Sequence, residues 1–361
     1  MPGIYISYPF CAQKCTYCNF ASGVFPRAWE EKYLRALLRE IRSFPLPWLP
    51  ETLYLGGGTP SSMETEALRE LLEAIPGRPW IEATIETAPG TLSASKIAAW
   101  PDCGINRVSL GVQSFVQREL SRTGRKHTAK MVEREIGLLR DGGIENFNID
   151  LIAGLPFQSE SSWNESLDWI EFLAPPHVSI YMLEVDDDSR LGSEILLGGN
   201  RYGASDTPSD DATAAFYETA VARLAAVGIP RYEISNFAKP GFESRHNLKY
   251  WRREPYIGFG ADAHSFDGTV RWQNVENAAD YMGREMVRAE TTPANALEEK
   301  FFVGLRLSEG IRPTEEEWRH FEAPIRRFLD AGFLQRDATS LRLTSRGVMI
   351  SNEVFQEFLA G

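Results

Sequence analysis

The sequence predicts an α/β fold: a parallel sheet covered by helices, followed by a small separate module. Three observations carry this. Apolar, β-branched runs alternate with helical stretches from residue 3 to residue 228, in six β–α units, the rhythm of a parallel sheet. The chain has 361 residues and is 43% hydrophobic, enough for a large core and an appendage without disulfide or metal staples. The chemically informative residues fall at the ends of the apolar runs, where α/β sheets place their sites. Periodicity alone does not choose between an open doubly wound sheet and a curved barrel.

Taken in order, GIYISYPF leads into a cysteine-rich loop and then the helix WEEKYLRALLREIRSF. TLYLGGGTP precedes EALRELLEAI, and IEATIETAPG precedes SASKIAAW. NRVSLGVQSF is followed by AKMVEREIGLLRDGG, and NFNIDLIAGLP by WNESLDWIEFLA. HVSIYMLEV ends in a polar stretch from Gly192 to Ser209, with Gly198 and Gly199, before DATAAFYETAVARLAAVG. That stretch is expected to be a mobile loop, a lid at the same rim as the other informative residues. The core is drawn at 1–285. From 290 to 361 the pattern predicts three or four helices with a short β-hairpin, a winged-helix-like module expected to cover or feed the mouth of the core. It lacks a basic recognition helix, so DNA binding is not implied.

Composition narrows the function classes. Net charge is −12 with no basic block, which disfavours broad binding to nucleic acid or anionic membrane. The start, MPGIYISYPFC, has neither the basic region nor the apolar stretch of a signal peptide. No segment reaches the roughly 18 apolar residues of a membrane span. Four cysteines, three of them clustered, fit a reducing compartment, and a cytoplasmic location is expected.

The clustered thiols carry the chemistry. Cys11, Cys15 and Cys18 stand in YPFCAQKCTYCNF, spaced C-x3-C-x2-C. Three thiolates that close can ligate three irons of a [4Fe–4S] cube, leaving one iron open to a small molecule. Structural zinc would want a fourth ligand, and no further Cys or His stands nearby. Cys103, in WPDCGINRVSL, reads as a small buried hydrophobe. Gly56, Gly57, Gly58, Thr59 and Pro60 end the second apolar run, where a backbone without Cβ atoms can approach a ligand.

This spacing, with Tyr17 before the last cysteine, resembles the radical S-adenosylmethionine (SAM) superfamily. The resemblance implies a partial (β/α)6 barrel of the TIM type. It also implies SAM chelated to the open iron and cleaved to a 5′-deoxyadenosyl radical, which requires an electron donor. GGGTP resembles the coproporphyrinogen III oxidase-like branch, where the glycine backbone (here Gly57 and Gly58, with Thr59) holds the SAM amino group. The same resemblance assigns to the SAM pocket Tyr5, Tyr17, Glu86 in TIETAPG, Gln113 in GVQSF, Arg125 in LSRTGRKH and Asp150 in NIDLIAGLP. Arg125 suits the SAM carboxylate as a planar fork. Asp150, in an apolar strand, needs a partner if buried.

From Arg231 to Phe266 the chain resembles the heme chaperone subgroup, HemW, through His246-Asn247-Leu248-Lys249-Tyr250-Trp251, an H-N-x-x-Y-W motif. A neutral imidazole is a good axial ligand for heme iron, and Tyr250 and Trp251 offer flat faces to a porphyrin. The same residues could equally cap a helix or close the barrel. His264, in GADAHSF, is a second candidate ligand. Two departures stand out. Phe20 occupies the position of a fourth cysteine found in the oxygen-independent oxidases, which counts against coproporphyrinogen decarboxylation. Ser7 replaces the family histidine before the first cysteine. The expectation is therefore a heme chaperone that binds a cluster, SAM and heme and serves an acceptor protein. Contact with a membrane-bound acceptor stays open. The alternative is a radical SAM enzyme of the oxidase or methyltransferase type.

Overall fold

The computed structural model describes residues 2–284 and 287–359. Six strands, β1 (Gly3–Tyr8), β2 (Thr52–Gly57), β3 (Glu82–Thr87), β4 (Arg107–Gln113), β5 (Phe147–Ala153) and β6 (His177–Met182), pair in parallel in chain order. Helical crossovers join them, as parallel neighbours require. The ring stays open. On one side β7 (Asn236–Ala238) lies antiparallel to β6 and ends the sheet. On the other, β8 (Tyr256–Phe259) runs parallel to β1. Beyond it β9 (His264–Phe266), β10 (Val270–Asn274) and β11 (Arg288–Pro293) continue antiparallel. The result is an 11-stranded sheet around a partial (β/α)6 barrel. β7, β8 and β9, of three or four residues each, are too short to show a period in the sequence. The expected core boundary at 285 falls on a residue outside the described ones, and β11 just after it still belongs to the large sheet.

Strand alternation builds two opposite faces. Ile4 and Ile6, Leu53 and Leu55, Val108 and Leu110, and Val178 and Ile180 are fully buried beneath the helical layer. Each such side chain contributes about 1.5–3 kcal/mol. The alternate residues (Tyr5 and Ser7, Tyr54, Glu86, Arg107 and Ser109, Asn148 and Asp150, His177 and Ser179) face the lumen. Packed barrels fill that space with branched apolar side chains; this lumen is polar.

The helix Arg245–Trp251 closes the end where the strands begin. Glu82, the first residue of β3, accepts the N–H groups of Arg245 and His246, each at 2.9 Å. Ser244 caps the helix at the Asn247 N–H, 3.3 Å. A carboxylate on a helix N-terminus is favourable.

Two expectations need correction. The stretch from Gly192 to Ser209 is not a loose loop. It contains the helix Arg190–Leu196 and the turn Arg201–Asp206, because Ser189 caps the Gly192 N–H at 2.9 Å. The Leu191 N–H reaches the Thr16 carbonyl at 2.8 Å, and the Asn19 amide reaches Asp186 at 2.9 Å, so the segment is tied to the cysteine loop. Among the described residues the C-terminal module has five short α-helices (Ala296–Phe302, Glu315–His320, Glu322–Asp330, Ser345–Met349 and Ser351–Gln356) around the hairpin β12 (Leu334–Arg336) and β13 (Leu341–Leu343). It attaches at the floor and not over the mouth. Glu299 receives Arg271 at 2.8 Å and Arg253 at 3.0 Å, and Arg306 pairs with Glu233 at 3.4 Å while lying over the Trp251 ring. Among the described residues no helix is long and apolar enough to cross a membrane.

Candidate functional site

The cysteine loop leaves the C-terminal end of β1. The Cys11 N–H donates to Gly23 and the Gly23 N–H to Pro9, both at 2.9 Å, which folds the loop back on itself. The Thr16 N–H donates to Thr123 at 3.2 Å, joining it to the segment after β4. Cys11, Cys15 and Cys18 are all free and half-buried, whereas Cys103 is buried in the core. Burial pushes the Cys11 thiol up, the Ser22 and Thr59 hydroxyls oppose this, and Cys18 and Cys15 add to it. A metal reverses that cost, since iron binds the thiolate. Three free thiols on one loop, beside hydroxyls and with no fourth protein sulfur among them, fit a cluster held at three irons.

The glycine run is pressed against this loop. The Gly58 N–H donates to Tyr8 at 2.7 Å and the Thr59 N–H to Phe10 at 2.9 Å. A Cβ on Gly58 would come within 2.6 Å of the Phe10 carbonyl, and Gly57 has φ +101. Only glycine serves at these two positions. The Gly57 N–H donates to Glu86 at 3.2 Å, and the Tyr54 hydroxyl donates to the same carboxylate at 2.9 Å. Tyr5 stacks on Tyr54 with ring centres 6.2 Å apart. Burial, then the neighbouring Asp150, pushes Glu86 up to about 7. Burial also raises Asp150, against hydrogen bonds from Ser179, Asn148 and Ser109; the Asn148 amide lies at 2.6 Å and the Ser109 hydroxyl at 3.2 Å.

Gln113 sits where the β4–β5 register shifts, with φ +72. A non-glycine residue in the left-handed region, at a bulge on the rim, is backbone strain held by its surroundings. A Cβ on Gly111 would stand 3.0 Å from the Gln113 amide nitrogen and 3.6 Å from Arg125. Arg125 donates twice to the Tyr17 hydroxyl, at 3.0 and 3.2 Å, joining the β4 side to the cysteine loop. Phe20, Ser7, Tyr5, Gly57 and Asp262 line one small hollow beside the loop. These contacts join Gly57, Tyr5, Glu86 and Asp150 in one group and Tyr17, Arg125 and Gln113 in another.

His246, Tyr250 and Trp251 lie at the opposite end. His246 is fully buried, with Nδ1 2.9 Å from the Thr52 hydroxyl and Nε2 2.8 Å from the Tyr250 hydroxyl. Burial, then Lys249 and Arg107, push its pKa down to about 3. Tyr250 packs edge-on to Tyr256 at 4.6 Å, and Trp251 lies under Arg306 at 4.4 Å. Both ring nitrogens are engaged within the protein. The helix Arg245–Trp251 fills the closing role that the sequence left open.

Sequence reasoning missed Tyr54, Gly111, Ser109, Asn148 and Glu82. The signal was present as strict alternation: TLY, RVSLG, NFNID and EATIE each put a polar or small residue at every second position.

Comparison with known proteins agrees with this arrangement. Residues 5–170 match the family model of the radical SAM superfamily, and residues 291–350 match that of the HemN C-terminal domain. The chain is similar to the heme chaperone HemW of Lactococcus lactis, 33% identical over 98% of this chain and 96% of that protein. It is also 33% identical to the HemW of Bacillus subtilis, over 99% of both chains. The solved structure of coproporphyrinogen III oxidase (HemN) from Escherichia coli superposes with a TM-score of 0.83 at 20% identity, covering 99% of this chain and 89% of that one. With relatives matched end to end and the three-thiol loop on a six-stranded open barrel, the chain belongs to the heme chaperone HemW family within the radical SAM superfamily.

Proposed function

We propose that this chain is itself a heme chaperone, holding a [4Fe–4S] cluster through Cys11, Cys15 and Cys18 with SAM at the open iron, and passing heme to an acceptor protein in the cytoplasm. The observation that carries the reading is the near-full-length similarity to proteins named heme chaperones. Bound there, the cluster and SAM would supply one-electron cleavage of a sulfonium. The chain's own part is binding and orientation. Gly57, Gly58 and Thr59 present backbone to the amino end of SAM. Glu86 and Asp150 offer carboxylates to its polar groups, and Arg125 brings a guanidinium to its carboxylate. Tyr5, Tyr17 and the strained Gln113 shape the pocket. Phe20, where the oxygen-independent oxidases carry a fourth cysteine, weighs against decarboxylation as the main activity.

The test is heme transfer. Anaerobically reconstituted protein, loaded with heme, is mixed with apo-acceptors of known heme enzymes, and heme enzyme activity is followed. Gain of acceptor activity beyond that given by free heme supports the reading. Conversion of coproporphyrinogen III to decarboxylated product, seen by mass spectrometry without any heme delivery, overturns it.

A further inference from the structure

We infer that the seam between the barrel and the C-terminal module binds a soluble small molecule through a phosphate group. The site is separate from the cysteine loop and goes beyond the heme-chaperone reading. A cavity of about 440 Å³ opens at this seam, a size typical of small-molecule pockets. Arg231 lines it from the barrel side, and Ser308, Arg342, Ser345 and Arg346 line it from the module. No Asp or Glu stands in the lining. Three guanidinium groups therefore share one space in a chain of net charge −12. Backbone holds the two walls together. The Ser308 N–H donates to the Tyr232 carbonyl at 2.9 Å, and the Ser308 hydroxyl donates to the Arg231 carbonyl at 3.1 Å.

Other arginines of the module are taken up by carboxylates: Arg306 by Glu233, Arg326 by Glu322 and Arg327 by Glu357. The three at the cavity have neutral neighbours. Arg231 reaches the Tyr217 hydroxyl. Arg342 lies opposite Gln335 in the hairpin, and the Gln335 amide oxygen, turned toward it, accepts from Nη2 at 3.1 Å. Arg346 lies over the Phe333 ring at 5.0 Å. The acid whose charge reaches Arg342 is Asp337. Its carboxylate already accepts the N–H groups of Ser340 at 2.9 Å and Thr339 at 3.3 Å. The positive charge at the cavity is thus left for a ligand. A guanidinium is a planar fork for oxoanions. A carboxylate offers one charge and two oxygens. A phosphate monoester offers about two charges and three strong acceptor oxygens, the better match for three arginines. The net negative charge of the chain disfavours an anionic bilayer as the source of that phosphate.

The test is a calorimetric titration of inorganic pyrophosphate into the full, cluster-loaded chain with SAM present. Wild type is compared with Arg346→Gln and with the double variant Arg342→Gln/Arg346→Gln; thermal midpoint and iron content check that each variant is folded and loaded. Phosphatidylglycerol vesicles serve as the second probe. Wild type should bind pyrophosphate saturably, near one per chain, and should not bind the vesicles. The double variant should bind pyrophosphate about tenfold more weakly, and Arg346→Gln should fall between, with midpoint and iron unchanged. Affinity that is unchanged in the double variant, or no saturable binding in wild type, overturns the site. Vesicle binding that needs both arginines, without pyrophosphate binding, overturns the soluble ligand and assigns the seam to a lipid headgroup.

Discussion

The two ends of the barrel lumen are built from the same strands and the same polar residue types, yet they differ in where those groups find partners. At the floor, His246 satisfies both ring nitrogens, Glu82 takes two N–H groups of one helix turn, and His177 joins Asn148 to Tyr232. At the mouth, three thiols stay free, Glu86 is held near neutrality by burial, and Gln113 keeps a strained backbone. A buried polar network complete within the chain rigidifies it; an incomplete one costs stability until something fills it. The floor is not wholly paired, since Arg107 Nε, Trp251 Nε1 and Arg306 Nε are buried without a hydrogen-bond partner. Its histidines and Glu82 are nevertheless engaged within the chain, whereas the mouth keeps its three thiols free.

Substitutions sharpen that contrast. The largest effect is expected at the mouth and should spare the fold. Cys15→Ala removes one of three ligands, so iron and sulfide should fall to background after reconstitution, while the urea midpoint of the apo-protein stays within error. Full cluster content in the variant would break the assignment. At the floor the expectation reverses. His246→Ala should lose about 3 kcal/mol of stability, from the cavity and from two hydroxyls left without a partner, and still accept a cluster. A variant of wild-type stability with altered heme spectra would return His246 to the role expected from the sequence. Next in size is Arg125→Ala. Losing one guanidinium opposite the SAM carboxylate should weaken SAM binding about tenfold by calorimetry, with cluster content unchanged. Unchanged SAM affinity would confine Arg125 to bracing Tyr17.

How much of this was legible depends on distance along the chain. The cysteine spacing, the glycine run and the six strand–helix units are local patterns, and the structure places them at one rim. The partnership of His246 with Thr52, 194 residues apart, is not local, so a motif that reads as an open ligand could not be told from one that plugs a barrel. The stretch from Gly192 to Ser209 read as a loop because it is polar and carries two glycines, while one serine cap and a hydrogen bond to Thr16 order its first turn as helix. The module's seat at the floor depends on Glu299 and Arg306 finding Arg253, Arg271 and Glu233, pairings with no sequence period.

The smallest effect expected is also the one that separates the two ends by sign. Glu86 is raised from its ordinary value to about 7, by burial and then by Asp150. The folded apo-protein therefore holds this proton more tightly than the unfolded chain does. Its contribution is fully present below the unfolded value near 4.5 and is lost as pH rises toward 7. His246 is lowered to about 3, so its contribution is present above its unfolded value near 6.5 and is lost as pH falls toward 3. Thermal unfolding of apo wild type and Glu86→Gln across pH 5 to 8 isolates the mouth. The variant's advantage should grow from pH 5 to about 7 and then level off, at about 1 kcal/mol once solvent at the open rim is allowed for. The same series is then run on cluster-loaded protein with and without SAM, since SAM is placed at the open iron. A cation beside Glu86 favours the ionised carboxylate, so ligand should flatten the wild-type slope and leave the variant's unchanged. A slope that survives saturating SAM would mean that Glu86 does not face the ligand, and the mouth would then share the floor's self-contained chemistry.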